Sequence, residues 1–67
     1  MENEYGAVIE RGEIIESENN LYVVRSLTRS GVITPPMRAT DGTKYHIGDR
    51  VYFFMFDDGN GRIIAGL

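Results

Sequence analysis

Residues 50–56 hold the run Val51-Tyr52-Phe53-Phe54-Met55-Phe56, which once extended is apolar on both sides. Val51, Phe53 and Met55 fall on one face and Tyr52, Phe54 and Phe56 on the other. Gly48-Asp49 stands before the run and Asp57-Asp58-Gly59-Asn60-Gly61 after it. Two such reversals bound a strand rather than a helix. A chain of 67 residues buries only about 60% of its unfolded surface. One face of this strand can therefore fill a core, while the other needs cover from the N-terminal segment or from another chain.

The remaining segments read as short neighbours of that strand. Residues 5–9 place Tyr5, Val8 and Ile9 on one helical face, but Gly6 and Gly12 each weaken a helix by about 1 kcal/mol, so a short strand is expected. Residues 13–16 form a further strand. It ends at Ser17-Glu18-Asn19-Asn20, where paired asparagines accept the positive φ of a tight hairpin. In residues 21–27 the β-branched and aromatic content predicts a strand. Alternation there puts Leu21, Val23 and Leu27 on one face, with Arg25 at its open end. Thr28-Arg29-Ser30-Gly31 is a turn. Residues 32–34 continue as a strand that must stop at Pro35-Pro36, because proline has no amide hydrogen for a ladder. Residues 37–40 are ambiguous by themselves and in a five-stranded barrel would be part of the long connection between the third and fourth strands, Thr40-Asp41-Gly42-Thr43 is a turn, and Ile63, Ile64 and Leu67 close the chain.

Five or six short strands, two prolines and eight glycines define an all-β class, a small antiparallel five- to six-stranded barrel or roll, OB-like or SH3-like. Residues 1–67 make a single domain. Its first 11 residues are an acidic segment expected to be partly flexible.

Residues 1–18 carry all six glutamates against Arg11 alone, whereas the rest carries five arginines and Lys44 against four aspartates. The net charge of −3 lacks the unopposed cations that a duplex-DNA binder needs for counterion release. There is no cysteine, hence neither a disulfide framework nor a thiolate metal site, and the cytoplasm is the default compartment. No basic-then-apolar leader and no long apolar run point to export or to a membrane.

The stretch Tyr45-His46-Ile47-Gly48-Asp49-Arg50-Val51 and the ending Gly61-Arg62-Ile63-Ile64-Ala65-Gly66-Leu67 resemble the small OB-like β-barrel modules of contractile phage tails and related baseplate and spike proteins. Gly12-Glu13-Ile14 matches the Gly-x-Ile/Val opening of those modules. A hairpin with a valine-rich second strand and a proline-containing loop follow in the same order. The match covers residues 12–67. It implies a non-enzymatic, assembly-forming part, in the virion if phage-derived, whose barrel packs on neighbouring copies or other proteins, and it carries over no catalytic residue.

The candidate chemistry is sparse. Asp57-Asp58-Gly59-Asn60-Gly61 begins like a calcium loop but lacks the closing glutamate, so it reads as a hairpin loop. His46 is the single imidazole. A dyad with Ser26 or Ser30, or a metal site with Asp49, has no spacing rule behind it, and a half-exposed turn residue is expected instead. Glu10, Glu13, Glu16 and Glu18 read as a solvated face. No glycine stands in a phosphate-cradling motif. What remains is an interaction surface of Tyr22, Arg25, Tyr45, Arg50, Tyr52, Phe54 and Phe56. Its first reading is self-association or protein binding. The alternative is a single-stranded nucleic-acid binder that stacks bases on these rings, with arginines on phosphate. No enzyme, cofactor, metal or membrane partner is expected.

Overall fold

β1 (Val8–Glu18) runs unbroken for 11 residues through Gly12, where the sequence suggested two shorter strands. The computed structural model describes residues 8–40, 42–56 and 58–67. Residues 8–11 of the acidic N-terminal segment belong to β1; its remainder, with the strand expected from Tyr5, lies outside the described residues, as do Asp41 and Asp57 of the two predicted turns. β2 (Leu21–Ser26), β3 (Arg38–Ala39), β4 (Arg50–Met55) and β5 (Gly61–Gly66) complete a sheet of order β2-β1-β4-β5-β3. Among the described residues there is no helix, and the fold is the small all-β barrel or roll expected.

The length of β1 lets it serve two partners. Its first half pairs with β4, from Val8 opposite Met55 to Glu13 opposite Arg50. Its second half pairs with β2, from Gly12 opposite Ser26 to Glu18 opposite Leu21, with a bulge between Ile14 and Glu16. A bulge adds twist and bends the strand, which curls the sheet. Gly12 lies where both partners overlap. A Cβ there would meet the Val24 Cγ1 methyl and stand 2.8 Å from Phe53 Cε1, so a glycine is retained inside a strand despite its poor strand propensity.

Asn19 and Asn20 turn the β1–β2 hairpin with φ of 54° and 64°, the mirror-image geometry that matches strand twist. Beyond β2, residues 32–37 lie along its outer edge. Ser26 donates its amide to the Val32 carbonyl, and Tyr22 and Met37 exchange amide and carbonyl at 2.7 and 2.8 Å. Thr34 clasps Val24 from both sides, its amide donating to the Val24 carbonyl and its Oγ1 accepting from the Val24 amide. A side-chain oxygen thus stands in for the ladder immediately before Pro35-Pro36.

Of the predicted long connection, residues 38 and 39 form β3, which pairs with β5 in parallel, Arg38 opposite Arg62 and Ala39 opposite Ile63. That pair departs from an all-antiparallel sheet. With Tyr22 and Met37 bonded, the two ends of the curled sheet meet.

Ile14, Tyr22, Val24, Met37, Tyr45, Val51, Phe53 and Ile63 form one core cluster. Phe53, Ile14, Ile63, Val24 and Val51 are fully buried, each contributing about 1.5–3 kcal/mol by leaving water. In β2 the inward residues are Tyr22, Val24 and Ser26, the opposite phase to that of Leu21, Val23 and Leu27. The period of two is the same for either phase, and the β1–β2 register selects between them.

Candidate functional site

β4 turns Val51, Phe53 and Met55 to the core and Tyr52 and Phe54 outward, and Phe56, just past its end, continues the outer row. Cross-strand register builds the surroundings of the outer row, since residues directly opposite in an antiparallel pair share a face. Ile9 stands opposite Phe54 and Arg11 opposite Tyr52 on β1. Arg62 stands opposite Phe54 and Ala65 opposite Tyr52 on β5. Phe54 and Phe56 meet edge to face, their ring centroids 5.5 Å apart at 69°. Tyr52 and Phe56 keep 39% and 38% of their surface exposed and Ile9 keeps 66%. The result is an aromatic and aliphatic stripe flanked by cations on both sides, with Arg50 at its head. Among the described residues neither Arg11 nor Arg50 has an ion pair, and Arg62 donates only to the Gly61 carbonyl at 2.7 Å.

Two residues of the expected surface are elsewhere. Tyr22 is 3% and Tyr45 8% exposed. Their rings pack edge to face at 5.8 Å, and the Tyr22 hydroxyl accepts the Tyr45 amide at 3.1 Å. Both rings are therefore core, because the inward phase of β2 takes Tyr22 and the segment preceding β4 folds Tyr45 against it. Arg25 is exposed but committed to Glu13, directly opposite on β1. Arg50, Tyr52, Phe54 and Phe56 remain together on the outer face, and Ile9, Arg11 and Arg62 join them. Nothing in their own spacing shows this, because the register of β1 and β5 against β4 decides it.

The glutamate row is not one solvated face. Glu10 is 6% exposed and accepts from Ser26 Oγ at 2.8 Å, Thr28 Oγ1 at 3.0 Å, and Arg29 Nε and Nη2 at 3.1 and 2.6 Å. Burial pushes its carboxyl pKa up, but the hydrogen bonds from Arg29, Ser26 and Thr28, together with the Arg29 charge, outweigh it and hold Glu10 below the ordinary glutamate range. Ser26 Oγ in turn accepts the amides of Thr28 and Arg29 at 3.2 and 2.9 Å. The knot ties the turn after β2 to the first half of β1. Its signal in the sequence was faint, a glutamate in phase with Gly12 and Ile14 on the inward side of β1.

Ser26 is thus bonded to Glu10 and not to His46. His46 is exposed, its amide donates to Asp49 Oδ2 at 2.8 Å, and its Nδ1 lies 3.8 Å from the same carboxylate, an arrangement that shapes the bend before β4. In the loop before β5, the Asn60 amide and side chain both donate to Asp58 at 3.0 Å. Among the described residues no cluster of histidine and acidic groups has the form of a metal site. A concavity lined by Asn20, Tyr22, Arg38, Ala39, Thr43 and Lys44 opens beside β3.

No family profile matches the chain, and no characterised protein or solved structure is significantly similar to it.

Proposed function

We propose that the protein is a non-enzymatic interaction module, a self-associating or protein-binding part of a phage- or prophage-derived tail or baseplate assembly. The observation that carries this reading is the outer row, in which Tyr52, Phe56 and the neighbouring Ile9 are left exposed around a half-buried Phe54, on a sheet whose other face is already a complete core. Large exposed apolar side chains gathered on one surface mark a contact in a soluble domain. The strand connectivity supports the context. A five-stranded curl in which β1 is shared by β2 and β4, and β3 lies parallel beside β5, fits the small barrel that the resemblance to phage-tail modules implies.

Light scattering on a sizing column over a wide concentration range tests it. A defined oligomer is expected, and Phe56→Glu should shift it toward monomer. A monodisperse monomer at every concentration, with no protein partner captured from the neighbouring gene products, refutes it.

A second reading, single-stranded nucleic-acid binding, draws on Arg11 opposite Tyr52 and Arg62 opposite Phe54, since cations beside rings suit phosphates beside stacked bases. It predicts chemical-shift changes at Tyr52 and Phe56 on adding short oligonucleotides at low salt. Their absence sinks it.

A further inference from the structure

The outer surface of the sheet changes sign across its width. On the β4 side stand Arg11, Arg50 and Arg62 around Tyr52, Phe54 and Phe56. On the β1–β2 hairpin, Glu16 lies opposite Val23 and Glu18 opposite Leu21. These two carboxylates are exposed, without an ion pair among the described residues, and the two aliphatic side chains beside them are half-buried. The Glu13–Arg25 pair sits between the two regions. One region is thus aromatic and cationic, the other aliphatic and anionic.

From this we infer that the aromatic face of one copy receives the Glu16–Glu18 edge of the β1–β2 hairpin of a second copy. The inference rests on the self-association reading above and names the occupant of that face. In such a contact the carboxylates meet Arg11 and Arg62 while Leu21 and Val23 cover Phe54 and Phe56. Both halves are present on every chain, so the contact closes either mutually, as a dimer, or head to tail, as a ring. A polyanion fits the face less well. Glu16 and Glu18 lie on the same outer surface and the chain is net −3, so phosphates along an extended strand meet repulsion as they leave the arginines.

Charge exchange tests this. The mass in solution is measured for the native chain, for Arg11→Glu/Arg62→Glu, for Glu16→Arg/Glu18→Arg, and for an equimolar mixture of the two variants, with thermal melts of each. The native chain should associate, and added salt should weaken it. Each variant alone should need at least about tenfold more protein to associate, a change that one lost charge pair supplies, and the mixture should recover the native mass. Association of both variants at the native concentration overturns the inference but leaves self-association through another surface. So does a mixture of two folded variants that stays monomeric. A native chain that is monomeric throughout overturns both this inference and self-association, and leaves of the proposed function only the binding of a different protein. A native monomer whose mass rises only when a short oligonucleotide is added overturns both in favour of nucleic acid.

Discussion

Alanine at position 12 adds one methyl group where β2 and β4 both press on β1. The new Cβ would fall inside the Val24 Cγ1 methyl and 2.8 Å from Phe53 Cε1, both fully buried. Val24 is β-branched and held to few χ1 rotamers, so it cannot swing aside, and the Phe53 ring is packed on every side. Overpacking of this kind costs about 1–3 kcal/mol. Against it, alanine restricts the unfolded chain and recovers about 0.4–1 kcal/mol. The balance is a loss of about 1–2 kcal/mol, or a fall in Tm of roughly 5–15 °C in a domain this small. Urea unfolding followed by circular dichroism measures it. Val24→Ala alone should cost about 2–3 kcal/mol as a buried truncation. In the double variant the alanine at 12 enters the space vacated by Val24, so the two losses should fall short of their sum by about 1 kcal/mol or more. Simple additivity, or a Gly12→Ala variant more stable than the native chain, would refute the crowding argument.

Gly61→Ala should be worse and beyond rescue, because the new Cβ runs into the Phe54 carbonyl oxygen and stands 3.0 Å from both Met55 Cα and Met37 Sδ; Met37→Ala in the same chain should leave the loss in urea stability unrepaired. Glu10→Gln should cost about 1.5–3 kcal/mol, the worth of hydrogen bonds to a charged group. Because the folded Glu10 pKa is depressed, its contribution is present above the unfolded value of about 4.3. It disappears as pH falls through the lower folded value, so acid titration of unfolding should show a destabilising phase that the variant lacks. Asn20→Ala in the left-handed hairpin position should lose about 1 kcal/mol and Asn20→Gly should not, as thermal melts of the two will show.

Much of the fold was legible because it depended on local devices. The Asn19-Asn20 hairpin, the Gly48-Asp49 bend and the doubly apolar strand at 50–56 each declare themselves within a few residues, where backbone sterics act; the strand expected at 32–34 does not form, for Ile33 and Met37 touch β2 only as isolated bridges on either side of Pro35-Pro36. The candidate surface was legible in part. Tyr52 and Phe54 share β4 and Phe56 follows its last residue, so their common face follows from the period of two. Tyr22 and Tyr45 looked equally available, and their burial depends on which phase of β2 turns inward and on where residues 42–48 return.

The sequence by itself determined that this chain is all-β, and it placed the turns and named the strand with too much apolar surface. Tertiary structure decided that Glu10 is buried in a knot with Ser26, Thr28 and Arg29, that Gly12 is a packing necessity, and that arginines from β1 and β5 flank the aromatic row of β4. The division has one physical cause. Turn chemistry and side-chain alternation are properties of neighbouring residues, whereas phase, register and burial arise only when strands distant in sequence pair, and a slip of one residue exchanges the two faces of a strand.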